Sequence, residues 1–413
     1  MNCRSEIKVS LLLVIVFPCL FDYLLSRQIE IFHEFEIITY QWQSLFLVFL
    51  SVWWSVFQVL NSNWKNLPLV VLLFIGLTAY LISTCNGERV GVNALILLAG
   101  AAIGKAAVVL LNEKARERNS ELSKFLIGLT SLLTCSSWLH LNMMNNYYHG
   151  PRWMGLWNNP NIYGMLMGTG VILAAGLLAG SLKEECGMKQ YIRKRWWMAF
   201  RIFLVIAVGM TGLGLVMSYS RGACLGTVVG LLYLVWGYSK LKWRFVLPIS
   251  LAAAAVVVVF WHSTADTDPW YLKRLDLSRP SAQHRVSSWR GAIQMMRDHP
   301  LGVGWNQALD VYNKNYSHPE GGAAALAMNS YLMLGTELGL PALLFFITYI
   351  SLKFKPKTAN SLQVGCRAGT LVLLVAFWFD GGLFDLPTAA VFWILLELGT
   401  ADFTADKNCC VLS

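Results

Sequence analysis

Apolar residues fall along this chain in long blocks separated by short polar breaks. The blocks lie at approximately 9–25, 44–60, 67–85, 90–111, 122–140, 162–182, 199–218, 223–238, 245–261, 330–352, 364–379 and 384–400. A bilayer-crossing helix needs roughly 20 mostly apolar residues, so this pattern predicts an all-α membrane protein with about twelve transmembrane helices. Two breaks carry information. Ser218-Tyr219-Ser220-Arg221 interrupts one apolar run and reads as a tight turn between two spans, with one kinked helix as the alternative. Residues 262–329 form one long polar connection between the ninth and tenth helices. The predicted organisation is therefore 1–261 for helices one to nine, 262–329 for a large loop, 330–400 for helices ten to twelve and 401–413 for a tail. No small-residue cleavage site follows the first span, which reads as a retained helix.

Composition agrees. Of 413 residues, 56% are hydrophobic and 14% charged, against about 25% charged in soluble proteins. The formal charge of +10 does not call for nucleic acid, because cytoplasmic loops of membrane proteins are rich in Lys and Arg. Alternate connections hold Arg4 and Lys8; Lys65; Lys114, Arg116, Arg118 and Lys124; the group from Lys183 to Arg201; Lys240, Lys242 and Arg244; and Lys353, Lys355 and Lys357. The opposite short connections hold only Arg27, Arg89, Arg152 and Arg221. The positive-inside rule then places both termini in the cytoplasm and the large loop outside. A loop of this length usually has a job. Cysteine and histidine spacings show no metal site or disulfide framework, and no cofactor motif is present.

Several residues could carry chemistry. Within the loop, Val286, Trp289, Ile293 and Met296 recur at helical spacing, predicting an amphipathic helix whose apolar stripe packs on the bundle or lies in the interface. Arg285, Arg290 and Arg297 flank that stripe, and a solvated face is the plain alternative for them. Arg221 sits between two apolar spans on the outer side, against the charge bias. An arginine there either snorkels to headgroups or serves as a fixed cation, and its planar fork suits phosphate. Lys105, Glu337, Asp380 and Asp385 are further polar positions at span depth, as helix-packing partners or cavity lining. Asn159-Pro160-Asn161, beside Arg152, opens the sixth span as a helix-start signal.

Taken in order, Asn159-Pro160-Asn161, Ser220-Arg221-Gly222-Ala223, Arg285 with Trp289, Pro300-Leu301-Gly302-Val303-Gly304, Asn329-Ser330-Tyr331-Leu332 and Glu337-Leu338-Gly339-Leu340 resemble the O-antigen ligase family. Related O-antigen polymerases and bacterial protein O-oligosaccharyltransferases share that resemblance, which covers about 159–342. It implies a multi-pass protein of the bacterial inner membrane, with a large periplasmic loop between helices 9 and 10. It also implies a glycosyltransferase of polysaccharide or lipopolysaccharide biosynthesis, active on the periplasmic face. Such an enzyme passes a glycan from undecaprenyl pyrophosphate to a glycan, lipid or protein acceptor, without a metal. Carried onto this chain, Arg221 and Arg285 are the catalytic pair holding the pyrophosphate. Arg152, Asn161, Tyr219, Trp289, Arg290 and Asn329 are the candidate substrate-binding residues.

The chain departs from the family pattern at one position. Ligases commonly carry histidine before the asparagine of the Asn-x-Tyr-Leu stretch, where it is proposed to activate the acceptor. This sequence has Met328 there, and methionine cannot accept a proton. His318 is the nearest outer histidine and the candidate substitute base. The same departure keeps a catalytically silent glycan-lipid-binding relative in view. A transporter or flippase is the alternative of another class. The potentially functional residues gather on one face, however, rather than at mid-bilayer between two repeats.

Overall fold

A computed structural model describes residues 67–85, 92–111, 115–143, 147–148, 152–157, 159–183, 197–237, 280–316, 329–354 and 360–401. The predicted spans 9–25, 44–60 and 245–261, the loop flanks 262–279 and 317–328, and the tail lie outside those residues. The helices are α1 (Leu67–Cys85), α2 (Val92–Leu110), α3 (Ala115–Met143), α4 (Pro160–Lys183), α5 (Trp197–Ser218) and α6 (Arg221–Gly237). They continue with α7 (Pro280–Asp298), α8 (Ala308–Asn315), α9 (Ser330–Glu337), α10 (Gly339–Phe354), α11 (Ser361–Ala376) and α12 (Leu386–Thr400). A two-residue hairpin pairs β1 (Tyr147–Tyr148) with β2 (Arg152–Trp153).

The protein is thus helical, and Asn119–His140, Pro160–Ser181 and Trp197–Ser218 are each long and apolar enough to cross a bilayer. Shorter apolar helices follow at Arg221–Gly237, Gly339–Phe354, Ser361–Ala376 and Leu386–Thr400. Helix α4 is the hub, packed by α3, α5, α6 and α11. Its apolar window is 89% buried, whereas that of α5 is only 33% buried. The large exposed hydrophobic residues of α5 are Met198, Ile202, Val205 and Ile206, and those of α6 are Leu225, Val228, Leu232 and Trp236. Both sets recur at helical spacing, so these helices turn apolar stripes outward. A soluble protein would show polar residues there, and a bilayer is the solvent such faces match. Small residues allow the close packing that membrane helices rely on. Gly226 of α6, for example, lies directly on the α11 backbone at Val372.

The tight turn expected at 218–221 is present, ending α5 and starting α6. The tenth span differs from expectation. It breaks at Leu338 into α9 and α10, and Gly339 adopts φ +89°. The break frees carbonyls that the loop then satisfies. Val303 N–H donates to the Thr336 carbonyl at 3.0 Å and Gly304 N–H to that of Glu337 at 3.0 Å. Leu340 N–H donates back to the Pro300 carbonyl at 2.9 Å. The Pro300–Gly304 and Glu337–Leu340 motifs are therefore one unit, a loop segment laid along a broken helix. A side chain at 339 would meet the Leu301 backbone carbon at 2.5 Å. Gly339→Ala should cost roughly 2–4 kcal/mol by adding left-handed strain to overpacking. Thermal unfolding in detergent measures this, and Gly212→Ala, with nothing within 4 Å of its added carbon, should leave the midpoint near that of the parent.

The loop helix α7 forms as expected, but a different face is buried. Ser288, Ala292, Met295 and Met296 are buried, while Val286 and Ile293 are exposed. The reason is the shape of the partner. Gly291 and Ala292 let Tyr312 of α8 approach closely, and Met296 reaches Gly335 of α9. Tyr312 is fully buried there. Trp305 anchors the same loop to the bundle, being buried with its indole N–H on the Gly76 carbonyl of α1 at 2.9 Å.

At the opposite end, three helices share a buried charge cluster. Glu397 of α12 accepts from Lys105 of α2 at 2.9 Å and from Lys353 of α10 at 2.8 Å. The Tyr349 hydroxyl donates to its other oxygen, and both ammonium groups lie 5.3 Å from the Tyr349 ring centre. Lys105, singled out from sequence, thus has its partner in Glu397.

Candidate active site

One end of the bundle gathers what the sequence scatters. Helix α5 ends there, and α4, α6 and α9 begin there. Helix N-termini carry unsatisfied N–H groups and a partial positive charge, which favour anions. The hairpin brings Arg152 over this end. Its Nε donates to the Ser218 carbonyl at 3.0 Å and its Nη2 to Asn161 Oδ1 at 2.9 Å. Arg152 therefore caps the last turn of α5 and orients Asn161. That structural work accompanies any contact with substrate.

Asn161 in turn donates from Nδ2 to Asp380 Oδ2 at 2.6 Å. Asp380 lies between α11 and α12 and is only 8% exposed. It also accepts from the Gly381 backbone N–H and the Asn159 side chain. Burial pushes its carboxyl above the usual range. The hydrogen bonds from Asn161, Gly381 and Asn159, and the charge of Arg285, pull the other way. The 377–385 connection is held by α9, since Ser330 N–H donates to the Phe377 carbonyl at 2.9 Å. Ser330 Oγ donates to the Asp380 carbonyl at 2.9 Å, and the Tyr331 hydroxyl to the Leu374 carbonyl at 2.7 Å.

Arg285, from α7, is partly buried in this region. Its guanidinium pKa is lowered by burial, then by the positive charge of Arg221, and raised by Asp380. Arg221 is exposed at the first position of α6. The two arginines, 64 positions apart in sequence, thus act on one electrostatic neighbourhood. Asp380 offsets part of the repulsion between these two like charges. Tyr219, two residues before Arg221, is half-buried with φ +53°. Non-glycine residues rarely adopt that conformation, and it persists where surrounding structure enforces it, often at functional sites.

Beside the charges lies an aromatic group. The Trp289 ring is 6.5 Å from Trp378, which is 4.9 Å from Tyr331. Trp378 is 48% exposed, and the buried indole N–H of Trp289 has no hydrogen-bond partner among the described residues. Asn329, fully buried, caps α9: its Oδ1 accepts from the N–H groups of Tyr331 at 3.0 Å and Leu332 at 3.1 Å. Its Nδ2 has no partner among the described residues. Arg290 is exposed on α7, away from the buried face. His318 and Met328 lie outside the described residues. Asp380 is the site residue that sequence reasoning undervalued. The available signal was an acidic side chain at span depth, between two predicted spans.

The fold describes a helical membrane protein with a structured loop at the end that carries Arg152, Arg221 and Arg285. Residues 202–347 match the family model described as O-antigen ligase. The match covers about a third of the chain, running from α5 through the turn, the loop helices and α9 into α10. That match supports the resemblance to the O-antigen ligase family expected from the motifs. Glycan transfer is that family's type of activity. No curated protein matches the chain.

Proposed function

We propose that this protein transfers a glycan from undecaprenyl pyrophosphate to an acceptor on the periplasmic face of the bacterial inner membrane. An acceptor hydroxyl oxygen bonds to the anomeric carbon as the carbon–oxygen bond to pyrophosphate breaks. The bonding electrons leave on the pyrophosphate, and the hydroxyl proton passes to a base, for which His318 is the candidate. Arg221 and Arg285 stabilise the charge that develops on the leaving group, a large catalytic contribution when cations are preorganised. They take the part that a divalent metal plays in other phosphoryl-leaving reactions. Trp289 is the candidate contact for the donor's first sugar, and Asn329, fully buried, serves the site by capping α9. The acceptor, as glycan, lipid or protein, decides whether the enzyme acts as ligase, polymerase or protein O-oligosaccharyltransferase.

The observation that carries this reading is the convergence of Arg221 and Arg285 on one neighbourhood beside helix N-termini. Such binding is largely electrostatic and is screened by salt. Titrating detergent-solubilised protein with inorganic pyrophosphate should give an affinity that falls several-fold between about 0.05 and 0.5 M salt. A salt-independent constant, or no binding, argues against the arginine role.

A further inference from the structure

The unusual member of the site is its carboxylate. An anion-binding end that presents arginines and helix N-termini has no evident need for a buried acid. Asp380 is nevertheless tied to it: its Oδ2 accepts from Asn161 Nδ2 at 2.6 Å, and Asn161 Oδ1 accepts from Arg152 at 2.9 Å. Arg285 feels Asp380 and Arg221 together. Asp380 is also fixed through its own backbone, because the Ser330 hydroxyl donates to its carbonyl. A side chain held on so many sides is poised, not incidental.

We propose that Asp380 is a built-in counter-anion for the arginine cluster. It rests on the pyrophosphate reading above. Before the donor arrives, Asp380 offsets the repulsion between Arg285 and Arg221 and, through Asn161, keeps Arg152 turned toward the site. After transfer, its negative charge opposes that of the released polyprenyl pyrophosphate and loosens the grip of the arginines. Asp380 thus acts through the arginines as a positioning residue, and it trades tight binding for turnover.

Asp380→Asn and Asp380→Ser, both neutral, test this against Asp380→Glu, which keeps the charge. The probe is inorganic pyrophosphate, titrated into full-length protein in detergent. Removing one negative charge beside the bound anion should tighten pyrophosphate about tenfold in either neutral variant. Asp380→Glu should stay within about twofold of the parent, since the charge remains. In glycan transfer the neutral variants should lose turnover while their donor KM falls as well. A merely structural role would raise KM and weaken pyrophosphate together. Unchanged or weaker pyrophosphate binding in the neutral variants overturns the inference, as does failure of both to fold. If the parent binds pyrophosphate but transfers no glycan, the reading of function fails while the counter-anion result stands.

Discussion

Replacing Arg285 with alanine is expected to lower glycan transfer by about 10²–10³-fold, the usual consequence of removing one preorganised group aimed at developing charge. Arg221→Ala should behave alike. The double variant should lose little more than either single one if the pair acts as a unit on one leaving group. Arg285→Lys should recover only part of the rate, because an ammonium cannot present a planar fork to two oxygens. Thermal midpoints should move little in all of these, since Arg221 is exposed and Arg285 comes from a loop helix whose buried face is Ser288, Ala292, Met295 and Met296. Initial rates with a polyprenyl-pyrophosphate glycan, read beside melting curves, separate lost chemistry from lost fold.

The second large effect is on stability, at the other end of the molecule. Glu397 is 2% exposed and holds Lys105 and Lys353 together. Removing one partner of a buried ion pair leaves an uncompensated charge, which costs about 3–5 kcal/mol. Glu397→Ala strands two ammonium groups at once and should fall at the upper end of that range. Lys353→Met should cost clearly less, because Lys105 still faces the carboxylate. Denaturation in detergent, compared across the two variants, checks the order. Equal losses would mean that the cluster contributes through packing around Tyr349 rather than through charge.

Much of this architecture was legible because the bilayer is a demanding solvent. Backbone groups in hydrocarbon must be satisfied within a helix, so the apolar runs at 67–85, 162–182 and 199–218 announce helices directly. The polar Ser218–Arg221 step announces the turn for the same reason. Arg221 and Arg285 were visible as cations in costly or exposed places, and their shared neighbourhood was expected only through the resemblance.

What escaped the sequence depends on partners far along the chain. The buried face of α7 is chosen by where Gly291 and Ala292 admit Tyr312, and periodicity alone favoured the Val286–Ile293 stripe. The break at Leu338 lies inside a continuous apolar run, so hydropathy passes over it. Only Gly339, read together with Gly302 and the loop carbonyls, would have marked it. Asn161 and Asp380 are 219 positions apart, and Glu397 is a single acid in an apolar helix whose lysines come from two other helices. Local pattern contains no record of such pairings.

The central claim is that the arginine-rich end handles a lipid-linked pyrophosphate as a leaving group. The most direct measurement uses protein in reconstituted vesicles, supplied with an undecaprenyl-pyrophosphate glycan and a mixed pool of glycan, lipid and protein acceptors. Release of free undecaprenyl pyrophosphate is followed for the parent and for Arg285→Ala. The account predicts acceptor-dependent release from the parent that falls at least a hundredfold, by about 10²-fold or more, in the variant. Equal release from both proteins would contradict it.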